Sequence, residues 1–281
     1  MSSAADLLAL PLSPELVFRW VLRLCGVSVA ISTLELLARS ALFGSSGCLS
    51  WSLGREFYAF ETPRWLEPFL GASAIRSVLF VRLAACCGLL LSVRPSMLAP
   101  CVLVLAASSL LLTFRMPVGR DGSDQMNDLI LVPAGLAMLW DGEGAKSAAL
   151  FFIAAQASLA YATAGFAKLV SPVWRSGQAL PQILSTLSHG HSLAGKTLRS
   201  SRVLALLACW GIMLFETCFS LWLLMGPRGT LAVLAVGIAF HLGCAVLMGL
   251  NCFLWSFLAA YPAILLASAR LGPLVHLGGG R

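Results

Sequence analysis

Charged residues are scarce in this sequence, making up 11% of its 281 residues. Soluble domains carry about 25% charged residues, so the composition argues against a soluble protein. Hydrophobic residues account for 59% of the chain, and the mean hydropathy is +0.88. The longest polar stretches, roughly 44–76 and 171–202, are too short to bury a core of their own. The sequence therefore predicts a single integral membrane domain over residues 1–281.

The sequence also lacks the motifs of two common kinds of site. No CxxC pair occurs among its nine cysteines, and seven of them lie inside apolar runs, where cysteine behaves as a small hydrophobic residue. A single bridge involving Cys48 and Cys252 stays open at this point. The net charge is +7, but the basic residues are scattered and form no stripe of the kind that binds nucleic acid. We therefore expect the basic loops to face a lipid bilayer with anionic headgroups, and we expect no nucleic-acid partner.

Apolar runs recur from Leu16 onward and predict transmembrane helices, because a hydrocarbon core about 30 Å thick needs about 20 apolar residues per crossing. The sequence predicts an all-α, polytopic bundle of about eight spans: about 18–42, 75–93, 96–114, 126–140, 147–170, 203–225, 229–249 and 251–269. The fourth span is short, and Pro133 interrupts it. The first 15 residues lack a basic segment and contain Asp6, so we expect no cleaved signal peptide.

Several charged side chains fall inside these runs, where each costs about 3 kcal/mol at the centre of a helix and needs a partner or a function. Glu35 and Arg39 are spaced to form a local ion pair. Arg82 lies near a predicted span end, from which its side chain can reach the headgroups. Glu216 has no basic residue within reach on its own span, and Lys168 is the candidate partner from another span. Such a pair either joins two helices or serves catalysis.

Lys168 lies near the end of the fifth span, in the stretch YATAGFAKLV, and shares a helical face with Tyr161 and several small residues. A face of small residues either permits close helix packing or leaves space for a ligand. Burial would favour a neutral amine that can act as a general base. A lysine near a helix end can instead reach the interface as an ammonium, so both interpretations stay open.

His241 lies in the middle of the seventh span and begins a helical stripe of soft metal ligands. The stripe has steps of three, four and four residues: His241, Cys244, Met248 and Cys252. One stripe cannot enclose a metal ion, so we expect no metal site. We expect His241 to form a hydrogen bond to a neighbouring helix.

Four stretches resemble the HTTM family, the membrane domain shared with vitamin K-dependent gamma-carboxylases. The most specific is AYATAGFAKLVSPVWRSGQAL, in which the matching residues are Tyr161, Ala164, Gly165, Lys168, Leu169, Trp174 and Gly177. The stretch FRWVLRLCGVSVAISTLELLARSALFGSSGCLSW is similar to the first span of the family. GRDGSDQMNDLILVP resembles the polar entry to its fourth span, with Gly122, Asp124 and Gln125, and AFHLGCAVLMGLNCFLWSFLAAYP resembles its late Phe-His segment, with Phe240 and His241.

The resemblance implies a site and a chemistry. Lys168 would be the catalytic base that deprotonates a vitamin K-like hydroquinone, and Tyr161 and His241 would line or orient the quinone. Glu216 would tune the charge of the lysine. The remaining residues at which the chain matches the family's polar motifs complete the substrate-binding set: Asp124, Gln125 and Trp174.

The resemblance also suggests a partner. Nothing in the chain resembles the large lumenal region with which the carboxylases hold their substrate, so glutamate carboxylation itself is not implied. The length fits the short relatives of the sporulation-delaying-protein B type better, which are needed to mature a secreted peptide toxin. We therefore expect a secreted peptide as partner. The alternatives are a non-catalytic maturation or scaffold protein and a carrier of lipids or small molecules.

Overall fold

A computed structural model describes residues 12–59, 63, 65–91, 95–140 and 142–277, with side chains described up to residue 271. Every regular element in these ranges is helical, so the all-α prediction is confirmed. In chain order the α-helices are α1 (Pro14–Ala38), α2 (Trp51–Gly54), α3 (Glu67–Leu70), α4 (Ala72–Leu91), α5 (Leu98–Arg115), α6 (Gly122–Leu139), α7 (Glu143–Val170), α8 (Pro172–Arg175), α9 (Ala179–Ile183), α10 (Ser192–Ser200), α11 (Arg202–Cys218), α12 (Trp222–Met248) and α13 (Asn251–Leu277). The expectation of no cleaved signal peptide concerns the first 15 residues, most of which lie outside the described residues.

Each of the eight predicted spans overlaps a long helix, but only six described segments are long and apolar enough to cross a membrane. Two differences explain the lower number. Helix α6 begins with polar residues, and α11 continues into α12 as one apolar stretch of 47 residues, Arg202–Met248. That stretch would measure about 70 Å as a straight helix, more than twice the hydrocarbon thickness. A multi-pass membrane bundle is supported, and the number of eight crossings stays a prediction.

The chain reverses direction inside that stretch, at Gly226. This residue has φ 63° and ψ 177°, a backbone conformation that a residue with a β-carbon rarely adopts, and Pro227 follows it. Phe215 and Phe240 lie on opposite sides of the turn, and their ring centroids are 5.4 Å apart. The two arms therefore approach each other through side chains, while α11 packs mainly on α7 and α12 mainly on α13.

The connections between the long helices divide the bundle into two ends. We call the end with the connections 39–71, 116–121 and 171–201 the loop face, and the end where α1 begins the terminal face. Arg115, the last residue of α5, donates to the carbonyl oxygens of Leu49 and Leu70 at 2.8 and 2.7 Å, which fixes the loop face. At the terminal face, Lys146 of α7 forms an ion pair of 2.6 Å with Glu15 of α1.

Helix α13 forms the centre of the bundle, packed against α1, α6, α7 and α12. Alanines along it have almost no exposed surface, so the neighbouring helices approach closely: Ala259, Ala260, Ala263 and Ala267. By contrast, only 17% of the apolar window in Arg202–Met248 is buried, against 56% in α13. Among the described residues, the outer side of α11 and α12 therefore has few protein neighbours, which fits contact with lipid.

Arg82 is buried in the interior, so the prediction that it anchors in the headgroups is wrong. Its side chain donates to the hydroxyls of Thr33, Ser108 and Ser109 at 3.2, 2.9 and 2.8 Å. Helix α4 begins at Ala72, so Arg82 lies ten residues, or about 15 Å, inside the helix, too far to reach its end. Three hydroxyl groups on α1 and α5 accept the hydrogen bonds that we expected this guanidinium to donate to water at the headgroups.

The expected local ion pair between Glu35 and Arg39 is absent. Helix α1 ends at Ala38, and the backbone of Arg39, with φ −103° and ψ 20°, is no longer helical, so the two residues do not share a regular helical turn. All nine cysteines are unbridged, so the disulfide that the sequence left open between Cys48 and Cys252 does not form.

Candidate functional site

The ion pair expected between Lys168 and Glu216 is present near the loop face. Nζ of Lys168, in the last turn of α7, lies 2.7 Å from Oε2 of Glu216 in α11. The Glu216 side chain is 6% exposed and that of Lys168 is 22% exposed. The carboxylate is thus enclosed, whereas water at the loop face reaches the ammonium. The Lys168 amine is therefore in contact with a carboxylate and is not a lysine buried among apolar groups alone.

Gly165 lets α7 and α11 approach closely enough to form this pair. A β-carbon on Gly165 would lie 2.5 Å from both the backbone nitrogen and the hydroxyl oxygen of Thr217, the residue after Glu216. Any larger residue would push the two helices apart. Of the two interpretations that the small-residue face left open, the structure supports close packing at this level.

Trp174 completes the surroundings of Lys168. Its ring centroid lies 5.3 Å from Nζ, within the range of a cation–π contact. Trp174 belongs to α8, which follows α7 after the single residue Ser171. Large apolar side chains on the same part of the chain are exposed, as expected for a site reached from lipid: Phe166, Val170 and Val173.

A second polar centre lies deeper and consists of a chain of hydrogen bonds. The Tyr161 hydroxyl lies 2.5 Å from Nε2 of His241 and 2.7 Å from the hydroxyl of Tyr261. The expected bond of His241 to a neighbouring helix is therefore present. Tyr161 and His241 are 2% and 1% exposed, and Phe219 stacks on Tyr161 with centroids 3.8 Å apart. Nδ1 of His241 is buried and has no hydrogen-bond partner.

Tyr261 was not predicted from the sequence. It lies on α13 in the stretch AAYPAI, and Gly237 of α12 provides the space for its hydroxyl, since a β-carbon there would overlap that oxygen. One signal was available in the sequence. Tyr261 is one of only three tyrosines in the chain, and a hydroxyl in an apolar run needs a hydrogen-bond partner.

The two centres are separate. Tyr161 and Lys168 are seven residues apart on α7, which places them about 10 Å from each other along the helix. The Tyr161 hydroxyl contacts both His241 and Tyr261, whereas Lys168 contacts Glu216 and Trp174. Among the described residues, no hydrogen bond or ion pair joins the two centres.

Asp124 and Gln125 lie in the first turn of α6, away from the Lys168–Glu216 pair. Asp124 accepts a hydrogen bond of 3.3 Å from Ser32, and its carboxylate is 3.9 Å from Nε of Arg120. Gln125 is exposed. No hydrogen bond or ion pair joins either described side chain to Lys168 or Glu216. Asp124 belongs to a polar group at the contact of α1 with α6.

Comparison with other proteins adds no relative: no family model, no curated protein and no solved structure matches the chain. The chemistry of the site therefore has to be argued from its own geometry. An ammonium and a carboxylate in contact, partly open to water and covered by an indole, can exchange a proton with a bound hydroxyl group.

Proposed function

We propose that the chain is a membrane enzyme of the HTTM type, with eight transmembrane helices, in which Lys168 is the general base for a membrane-soluble, vitamin K-like hydroquinone. The observation that carries the proposal is the 2.7 Å contact of Lys168 with Glu216 beneath Trp174. Two groups that can share one proton lie next to exposed apolar side chains, where a molecule dissolved in lipid can approach.

The proton balance of the pair defines the step. Glu216 first accepts the proton of the Lys168 ammonium, and the neutral amine then accepts a proton from the bound hydroxyl. A hydroquinone would supply that acidic hydroxyl, and its anion would then pass electrons to molecular oxygen. After the step the ammonium is again in contact with the aromatic face of Trp174, which favours the cation.

The residues present fit an aromatic diol in part. The indole of Trp174 offers a face for stacking, and Lys168 offers a hydrogen-bonding group beside it. Tyr161 and His241 are enclosed, so they would act from behind the site by holding α7 against α12. Following the resemblance, we further propose that the reaction modifies or matures a secreted peptide.

The test compares Lys168→Ala with Lys146→Ala. Both remove a lysine of α7 from an ion pair of similar length, 2.7 and 2.6 Å, but at opposite ends of the helix. Protein in lipid nanodiscs is given vitamin K hydroquinone, and hydroquinone-dependent oxygen uptake is measured. We expect Lys168→Ala to lose at least about 100-fold in rate, the usual contribution of a general base, and Lys146→Ala to stay within about twofold of wild type. Full activity in a folded Lys168→Ala protein would remove the proposal.

A second function, a non-catalytic scaffold for peptide maturation, is favoured by the way the same pair joins α7 to α11 beside Gly165. On this view only the helix contact matters. A neutral double variant, Lys168→Gln with Glu216→Gln, would keep the maturation of the secreted peptide, measured by mass spectrometry of the culture medium. The enzyme proposal expects that same variant to be folded and inactive.

A further inference from the structure

A cavity of about 690 Å³ opens at the loop face, away from both polar centres. Its walls come from α9, α10 and α11 and from the segments next to them in the chain. Six of the ten lining residues are polar or basic: Ser176, Gln178, Gln182, Ser185, Arg199 and Arg202. Gly177 allows α11 to approach this segment, since a β-carbon there would lie 2.8 Å from the backbone of Leu206.

The cavity carries positive charge that nothing nearby neutralises. Residues 171–215 contain four basic residues, Arg175, Lys196, Arg199 and Arg202, and no acidic residue. Arg199 donates to the hydroxyl of Ser185, and no described carboxylate lies within ion-pair distance of either lining arginine. Two guanidinium groups in one concave site, with hydroxyl and amide groups around them, match an anion with several oxygen acceptors.

An apolar surface begins directly beside these arginines. Val203 and Leu207, on the first turns of α11, are 68% and 64% exposed, and Leu193 of α10 is 69% exposed. Helix α10 is amphipathic, with Lys196 and Arg199 on a nine-residue segment. A short basic amphipathic helix next to an exposed apolar helix is typical of the headgroup region of a membrane.

We propose that this cavity binds an anionic phospholipid. The phosphodiester group lies between Arg199 and Arg202, with Gln178 and Gln182 as additional donors, and the acyl chains follow the exposed face of α11 at Val203 and Leu207. The assignment uses charge, shape and the adjacent apolar surface, and it is independent of the reaction proposed for Lys168.

Native mass spectrometry of the full chain released from nanodiscs tests the site. The nanodiscs contain phosphatidylcholine with a variable fraction of phosphatidylglycerol. Wild type should retain phosphatidylglycerol in preference to phosphatidylcholine. A basic group near a membrane surface contributes about fivefold to the binding of an anionic lipid, so the double variant Arg199→Gln with Arg202→Gln should bind phosphatidylglycerol roughly 25-fold more weakly.

Lys196→Gln is the matched control, because it removes a charge from the same helix without changing the lining of the cavity. It should change the affinity by less than about fivefold. A loss as large as that of the double variant would overturn the proposal, since general attraction to the loop face would then explain the binding. Melting in pure phosphatidylcholine verifies that both variants are folded, and Arg199→Lys with Arg202→Lys should retain part of the affinity.

Two further arms identify the source of the anion. Inorganic phosphate or an acidic peptide of polyglutamate is added to the same nanodiscs. Retention of phosphatidylglycerol in the presence of millimolar amounts of either competitor supports a lipid site. Displacement of the lipid by phosphate alone would assign the cavity to a soluble anion, and displacement by the peptide alone would assign it to a peptide substrate. Either result would overturn the lipid proposal.

Discussion

Replacing Lys168 by methionine while Glu216 is kept should leave a carboxylate that is 6% exposed without its cation. At 2.7 Å and an effective dielectric constant of about 20, the attraction within the pair is about 6 kcal/mol before desolvation is subtracted. Removal of one partner of a fully buried pair costs about 3 to 5 kcal/mol. Since Lys168 is 22% exposed and water can reach the site, we expect Lys168→Met to lower the free energy of unfolding by about 2 to 3 kcal/mol, less than for a fully buried pair.

The reverse change should be milder. Glu216→Gln leaves an ammonium that can extend toward water at the loop face, so a loss of about 1 kcal/mol is expected. The double variant, Lys168→Met with Glu216→Gln, should have a free energy of unfolding within about 1 kcal/mol of wild type. The coupling energy between the two residues is then about 2 kcal/mol. Unfolding of the purified protein by SDS in mixed micelles, followed by circular dichroism, measures all four corners of the cycle. Strictly additive losses would refute the reasoning, because the contact would then contribute nothing as a pair.

Three other expectations follow from the helix contacts. Two single-cysteine variants test the topology: one keeps only Cys48, and the other has only the cysteine introduced by Ser188→Cys. A maleimide that cannot cross the membrane should label both variants from the same side. Labelling from opposite sides would mean that α6 does not cross. Gly165→Ala should lower the free energy of unfolding by about 1 to 3 kcal/mol, whereas Gly211→Ala, where a β-carbon meets nothing within 4 Å, should raise it slightly; equal effects in thermal unfolding would contradict the close approach. Arg82→Lys should lower it by about 2 kcal/mol, because an ammonium cannot reproduce the planar fork that reaches three hydroxyls, and an unchanged midpoint would count against this.

The sequence was sufficient for those features that depend on the high cost of charge in lipid. A carboxylate in an apolar run has few possible partners, which is why the pairing of Glu216 with Lys168 could be predicted before the structure was known. The helical segments were predictable for a related reason, because backbone groups in lipid must be satisfied within each segment. His241 needed a partner on another helix and has one in Tyr161.

Features that depend on depth and on helix rotation could not be predicted. Arg82 seemed close to a span end because hydropathy does not show where a helix begins, and its hydroxyl partners lie on α1 and α5. The separation of Tyr161 from Lys168 was hidden in the same way. Residues seven apart share a face, but the neighbours at each level come from other helices, whose register the sequence does not give.

The buried titratable nitrogen and oxygen groups described above, Arg82, Tyr161, Glu216 and His241 among them, are all nearer the loop face than the terminal face or close to mid-depth. Below them, the interior contacts that the structure describes join uncharged groups, as in the bonds of Trp222 to Ser158 and of Thr230 to Ser268. The described interior contacts of that half therefore offer a proton no charged side chain to pass along. A proton that Lys168 takes from a bound hydroxyl group would leave to the water at the loop face, and a carrier would first have to open a path through the uncharged half.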